Sequence, residues 1–411
     1  MAKIKQRKDS RGRVLQKGES QRKQDGMYIY TYVDPFGKRR YVYSKDLFKL
    51  REKEQQLMRD QMDGLDYYVG GHATINMAFD RYMGTKYNLR ETTRSNYIYM
   101  FNKFVRDDFG YKKIAEVKYT DIKFFYYHLL NEKGLAINTL DNVHTILHPI
   151  FEMAVRDDVI RKNPSSGVMA EIKKNSGKNK GVRHALTVEQ QKAFIDAIRY
   201  WPEYYHWYPL FVTLLGTGMR VGECIGLRWK DVDFKNRKIN INHSVSYYTR
   251  GGQACFGVSK PKTEAGVRDI PMMDTVYDAL KNEYELQKRT GFCVVELEGM
   301  TGFVFSNKNG NLHNPHCINS AITRISEAHN AKEIIEAKRE QREPVIIPHF
   351  SVHQLRHTFC SRLCENETNV KVIQVIMGHK NIETTLDIYT EVNFNRQQQS
   401  MEELSKKIDF F

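Results

Sequence analysis

The chain has no uninterrupted apolar run approaching the roughly 18 residues that a membrane span needs, so no transmembrane helix is expected. It has no cysteine before Cys224. The six it does have, scattered from there to Cys364, read as buried thiols of a reducing compartment and not as a disulfide framework. No apolar segment follows the basic opening "MAKIKQRKDSRGR", so no secretory signal is expected, and the cytoplasm is the expected location. No phosphate-cradling glycine loop precedes a Lys-Ser or Lys-Thr pair, which argues against nucleotide hydrolysis. There is no internal repeat, and no low-complexity block beyond one basic linker.

What is present is charge of one sign. Across 411 residues, 64 Lys and Arg stand against 49 Asp and Glu, a net of +15 on a chain long enough for two or three domains. Such a surplus on a large protein with 41% apolar residues is the electrostatic footprint of a nucleic-acid binder.

Residues 1–68 read as a small sheet backed by a helix. Met27, Ile29, Thr31 and Val33 alternate with Tyr28, Tyr30 and Tyr32, the period of a half-exposed strand. "DPFGK" turns the chain and "RRYVYS" returns it, with "GRVLQKG" as a third strand. "SKDLFKLREKEQQLMRDQMDGL" has helical spacing, with Ser44 as the expected N-cap. Such a ribbon can enter a DNA major groove, and Arg22, Lys23, Arg39 and Arg40 are its candidate contacts; a solvated edge hairpin whose charges only prevent aggregation is the plainer alternative. Residues 74–164 carry four helical patterns and no strand. "RKNPSSG" then breaks helix, and residues 165–184, with Lys173, Lys174, Lys178 and Lys180, read as a basic linker able to lie along a phosphate backbone. Residues 185–393 open on a helix with Thr187 and Gln190 in capping-box relation, then mix helices with strand patterns in "KNRKININHSVSYY" and "GVRDIPM". "AHNAKEIIEAKREQREP" reads as a helix with a solvated face. Residues 394–411 form an amphipathic tail ending on two phenylalanines, which call for a partner surface.

Several local patterns could carry chemistry. In "LLGTGMRVGECIGLRWKDVD" the Gly216-Thr217-Gly218 run stops one helix and Arg220 begins the next, where free N–H groups and a guanidinium both face an anion. A plain surface pair between Arg220 and Glu223 is the bland alternative. In "SVHQLRHTFCSRLC" Ser351 caps a helix with Gln354 completing the box, which sets His353 and Arg356 on the first turn at the positive end of the dipole. A metal face of His357, Cys360 and Cys364 lacks a fourth ligand at a usual zinc spacing; cysteines on the inner side of a core helix account for them better. In "NVKVIQVIMGHKNIETTLDIYT" Asn369 opens a helix, Gly378 closes it in a left-handed cap, His379 follows, and a second helix carries Tyr389, by its own pattern one more packed aromatic. In "SKPKTEAGVRDIPM" two strands surround a Glu-Ala-Gly turn with Lys262 just before the tip. Such a lysine is usually only solubilising, but in a phosphate site it could hand a proton to a leaving oxygen.

In their order, Arg, Lys, His-x-x-Arg, His and Tyr resemble the tyrosine recombinase (phage integrase) family over residues 74–393, on "TGMRVGE", "PKT", "HQLRHTF" and "MGHKNIETTLDIY". The N-terminal sheet is most similar to integrases of Gram-positive conjugative transposons. Met377 stands where the family often has Leu, and Cys360 where it often has Ala. The resemblance implies a multidomain fold: a small β-sheet plus helix arm-binding domain, an all-α SAM-like core-binding domain and a mixed α+β catalytic domain. It implies that Tyr389 attacks a DNA phosphodiester, leaving a 3′-phosphotyrosine and a free 5′-hydroxyl. Arg220 and Arg356 would clamp the non-bridging oxygens, His353 would accept the tyrosine proton or bond the transition state, Lys262 would protonate the leaving oxygen, and His379 would bond a non-bridging oxygen. It further implies no metal and no ATP. The implied partners are double-stranded DNA at core and arm sites, a homo-tetramer passing through a Holliday junction with its C-terminal segment handed to a neighbouring subunit, and an accessory DNA-bending or excisionase protein. The implied location is the bacterial nucleoid. Two alternatives stand beside it. A type IB topoisomerase-like enzyme is opposed by the separate arm-type domain, and a non-catalytic DNA-binding regulator has no use for six such polar residues.

Overall fold

A computed structural model describes residues 7–33, 39–62, 71–176, 185–261, 266–367 and 369–390. The chain divides into two units, Met1–Asn179 and Lys180–Phe411.

At the start of the first unit, β1 (Glu19–Gln21), β2 (Tyr28–Val33) and β3 (Arg39–Ser44) form an antiparallel sheet in that order, followed by α1 (Leu47–Met62). Tyr28 and Tyr30 pack with Leu47, Leu50 and Leu57 of α1. Because side chains alternate across a strand, the opposite face of β3 presents Arg39, Tyr41 and Tyr43 to solvent, whereas Arg40 falls on the half-buried side. Two expectations shift. The third strand is Glu19–Gln21 and not "GRVLQKG", because Glu19 is fully buried and accepts two bonds from Arg51 of α1, at 2.8 and 3.1 Å. The helix is capped by Asp46, which accepts from the Phe48 and Lys49 N–H groups at 2.8 and 3.1 Å, while Ser44 holds the Asp46 N–H.

The helical part comprises α2 (Ile75–Thr85), α3 (Glu91–Phe101), α4 (Tyr119–Asn131), α5 (Ile137–Arg156) and α6 (Val168–Ser176). Phe79 stacks on Phe101 with ring centroids 3.7 Å apart, and Phe109 on Phe125 at 4.3 Å, inside a core that Ile146 and Phe151 of α5 complete. The fifth helix corrects the linker expectation. Val168, Met169 and Ile172 form an apolar stripe that packs into this core, so residues 168–176 are a helix and not a linker. Lys173 there pairs with Asp141 at 2.8 Å, and Lys174 is exposed. Lys178 and Lys180 lie outside the described residues.

The second unit begins with α7 (Val188–Tyr200), α8 (Tyr208–Thr217) and the short α9 (Val221–Ile225). The expected Thr187–Gln190 capping box is present. A three-stranded antiparallel sheet follows in the order β4 (Val232–Asp233), β5 (Lys238–Ile241), β8 (Arg268–Pro271), beside a hairpin of β6 (Ser244–Arg250) and β7 (Gln253–Ser259). "SKPKTEAGVRDIPM" is therefore not one hairpin: β7 pairs with β6, and β8 pairs with β5. "KNRKININHSVSYY" is likewise two strands in different sheets. They part at His243, whose buried Nε2 donates to the Gly226 carbonyl at 2.7 Å.

The helices α10 (Asp274–Thr290), α11 (Pro315–Glu340), α12 (Val352–Asn366) and α13 (Val370–Met377) come next, then a helix α14 over residues 383–390. The core joins Phe194, Phe211, Val276, Leu280, Ile322, Phe350 and Leu355. The end of α11 is more than a solvated helix. Its Glu333 is buried and accepts from Arg342 Nη2 at 3.0 Å and from the Val345 N–H at 2.9 Å, fastening the segment that leads into α12.

Candidate active site

The site is assembled by three chain reversals in the second unit. Helix α8 is buried nearly all round, because its run from Pro209 to Leu215 is almost wholly apolar. It stops at Gly218, whose φ of +62° suits glycine and where a Cβ would collide with the Phe359 ring. Two residues on, Arg220 occupies the N-cap of α9. Its backbone N–H and its Nη1 donate to the two carboxylate oxygens of Glu223, both at 2.8 Å, and its Nη2 donates to the Gly378 carbonyl at 3.1 Å. The Arg220 side chain remains 43% exposed, so the guanidinium is held from behind and open in front.

The second reversal opens α12. The Ser351 N–H donates to Gln354 Oε1 at 2.9 Å, as the capping-box spacing anticipates. His353 is exposed on the first turn, but Arg356, one turn on, is buried. Its Nη1 donates to the Gly218 carbonyl at 2.7 Å and its Nη2 to the Met377 carbonyl at 2.6 Å. Burial, reinforced by the neighbouring Arg220 charge, lowers its pKa to about 9, so the free site holds a guanidinium that an incoming anion would relieve.

The third reversal ends α13. Asn369 caps its start and Gly378, at φ +62°, closes it in the left-handed conformation. His379 follows, buried, with Nδ1 2.9 Å from Thr385 Oγ1 and its backbone N–H donating to the Gln374 carbonyl at 3.2 Å. Burial, then the Arg356 and Arg220 charges, depress its pKa to about 4, so the imidazole is neutral near pH 7. Tyr389 is half-buried on α14, one turn beyond Thr385, and packs with Ile388 on Phe359, Cys360, Cys364, Ile373 and Met377. The structure thus draws Arg220, Arg356 and His379 together and ties His379 to the helix of Tyr389. Lys262 lies outside the described residues.

Three participants escaped the sequence. Glu223 is not part of a surface pair but a buried carboxylate; its signal was a lone charge inside "VGECIGL". Arg268, read only as part of a strand, is buried and holds Glu223 from the other side at 2.9 Å. Its signal was an inward position in the alternation with Ile270. Thr385 is fully buried although Ile382, three residues before it, is exposed, so the apolar spacing gave no signal for it. Cys360 and Cys364 are buried in the small cluster beneath Tyr389, as inner-face cysteines. Among the described residues no group of three His, Cys, Asp or Glu could hold a metal, and no helix is long and apolar enough to cross a membrane.

Residues 184–396 match the phage integrase family, and residues 3–61 match the DNA binding domain of Tn916 integrase. The chain is 32% identical to the transposase from transposon Tn916 of Enterococcus faecalis, across 98% of this chain and 97% of that protein. The chain belongs to the phage integrase family of tyrosine recombinases. As a tyrosine recombinase it is an enzyme that breaks and rejoins DNA at specific sites. The recombinase is also 26% identical to the ICEBs1 integrase of Bacillus subtilis, over 75% of its length and 76% of that protein's. Among solved structures it is similar to the Tn1549 transposon integrase in complex with transposon right end DNA, with a TM-score of 0.67 at 30% identity, covering 81% of this chain and 100% of the other. A lambda integrase tetramer bound to a Holliday junction shares the fold, with a TM-score of 0.50 at 15% identity over 90% of this chain and 94% of that one.

Proposed function

We propose that the recombinase excises and integrates a conjugative transposon, with Tyr389 as nucleophile. The observation that carries the site assignment is the capture of Arg220 and Arg356 by two successive carbonyls, Gly378 and Met377, directly before His379. Two guanidiniums fixed to carbonyls one residue apart on the same turn suit the two non-bridging oxygens of one phosphodiester.

The Tyr389 oxygen attacks phosphorus as the bond to the 5′-oxygen breaks. The phenolic proton passes to His353, exposed on the first turn of α12, and Lys262 returns a proton to the leaving 5′-oxygen. His379, neutral and receiving the Thr385 hydroxyl at Nδ1, keeps its own proton on Nε2 to donate to a non-bridging oxygen. The 3′-phosphotyrosine conserves the energy of the broken bond, and a second strand's 5′-hydroxyl reverses the step. Such a transesterification requires neither ATP nor a metal.

The related Tn1549 integrase was captured with transposon right end DNA and with circular intermediate DNA, which supports transposon ends as core sites here. Residues 1–68 would read arm sites, residues 74–164 and the catalytic residues 185–393 would both bind core-site DNA, and residues 394–411, which lie outside the described residues, would pass to a neighbouring subunit of a tetramer. An accessory DNA-bending protein and work on the nucleoid in the cytoplasm complete the proposal.

The test is a nicked suicide duplex carrying the element end. Wild-type protein should trap a covalent adduct and Tyr389→Phe none, and an adduct surviving that substitution would overturn the assignment. Lys262→Ala should slow cleavage far more than it weakens binding; equal losses would remove its acid role.

A further inference from the structure

Three consecutive carbonyls at the end of α13 each receive a different arginine. The Ile376 carbonyl accepts from Arg268 Nε at 2.8 Å, that of Met377 from Arg356 Nη2 at 2.6 Å, and that of Gly378 from Arg220 Nη2 at 3.1 Å. The last carbonyls of a helix have no partner within it and carry the negative end of its dipole, so this is where guanidiniums are best held.

Arg268 differs from the other two. Its side chain is only 3% exposed, so it cannot meet a phosphate in the open site as Arg220 can. Its remaining donors go to Glu223, at 2.9 Å to Oε2 and 3.2 Å to Oε1, and at 3.4 Å to the Gly266 carbonyl beside the segment that bears Lys262. Each Glu223 oxygen therefore takes one bond from Arg268 and one from Arg220. Burial alone would raise the Glu223 pKa, but the Arg268 bonds and charge outweigh it and keep the carboxyl ionised.

We propose that Arg268 is a positioning residue for DNA cleavage: through Glu223 it fixes the direction of the Arg220 guanidinium, and through Ile376 it fixes the turn carrying His379. The proposal rests on Arg220 being a phosphate clamp. The fork geometry matters, since two parallel bonds to one carboxylate and a third to a carbonyl need a planar guanidinium, which a lysine ammonium cannot reproduce. Misplacement of a reacting group by an ångström costs on the order of 100-fold in rate, so Arg268→Gln should lower the single-turnover rate of adduct formation about 100-fold and DNA affinity less than about 3-fold.

A merely structural role would slow cleavage in any background, so the decisive measurement is a double-mutant cycle in the full-length protein on the suicide duplex. In an Arg220→Ala background, Arg268→Gln should add far less than its roughly 100-fold loss to the residual rate, because the guanidinium it positions is gone and only its hold on the turn before His379 is left. A full, multiplicative loss there would overturn the proposal. Should Arg268→Gln fail to fold, Arg268→Lys decides. It keeps the charge beside Glu223 and should fold, yet cleave about 10-fold slower with unchanged affinity, and a wild-type rate for that variant would overturn the proposal. Tyr389→Phe and Arg220→Ala alone serve as controls: an adduct formed by Tyr389→Phe, or a wild-type rate for Arg220→Ala, means that the site assignment, and not the role of Arg268, has failed.

Discussion

His379 Nδ1 lies 2.9 Å from the hydroxyl of Thr385, a fully buried side chain one helical turn before Tyr389. This bond joins the turn that closes α13 to the helix that bears the nucleophile. Where Thr385 donates to Nδ1, the neutral ring carries its proton on Nε2. Thr385→Val preserves shape and removes the hydroxyl. Cleavage should fall roughly 10-fold, the loss of one buried hydrogen bond expressed as a rate, with DNA affinity unchanged in the same binding assay. Thr385→Ser should restore the rate.

Buried histidines make stability depend on pH, and burial lowers the pKa values of His206 and His243 as well as those of the three most affected. His379, His144 and His313 all have pKa values lowered from 6.5 to about 4, in each case chiefly by burial. Between those limits the unfolded chain binds protons that the folded chain refuses, so stability is full above about 6.5 and is lost as pH falls toward 4. Thermal melts from pH 7.5 to pH 5 should show a falling midpoint. His379→Gln should flatten part of that slope, and an unchanged slope would mean that His379 is not buried as described.

Gly218 combines a φ of +62°, an exclusion contact with Phe359 and a carbonyl that holds Arg356. Gly218→Ala should therefore cost ~1–3 kcal/mol in a urea melt, the range for strained backbone positions. It should also slow cleavage, since the displaced carbonyl releases Arg356. Gly134, likewise at positive φ but with open space where a Cβ would stand, should lose less on the same change.

The N-terminal sheet makes a two-sided prediction. Arg39, Tyr41 and Tyr43 share the exposed face of β3, while Arg40 lies on the half-buried side. Arg39→Ala should weaken binding to arm-site duplex and reduce the slope of log affinity against log salt by about 1, as expected for one phosphate contact. Core-site cleavage should be unaffected. Arg40→Ala should alter the thermal midpoint of this unit more than its salt slope.

Much of the local scaffold was legible because it is written in short-range rules. The capping boxes at Thr187 and Ser351 and the left-handed closure at Gly378 each depend on residues within one turn of the chain. The misreadings have a common cause. Residues 168–176 looked like linker because Asn163-Pro164 ended the preceding pattern, yet Val168, Met169 and Ile172 had a core waiting for them. The β7–β8 hairpin looked reasonable because two strand patterns flanked a turn. Pairing is decided instead by which edges the fold leaves open, and β6 and β5 claimed the two strands.

By itself the sequence determined the chemistry available: a cationic chain, the order Arg, Lys, His-x-x-Arg, His, Tyr, and the caps that stop and start the helices bearing most of them. Tertiary structure alone decided how those groups meet. Arg220 reaches Gly378 across 158 residues and Arg356 reaches Gly218 across 138, distances at which no periodicity carries information. The same is true of Arg268, which reaches Ile376 across 108 residues. The physical reason is that a buried guanidinium must find several acceptors in fixed directions. For Arg220, Arg268 and Arg356 the open carbonyls of reversed chain ends, together with the buried carboxylate of Glu223, supply them.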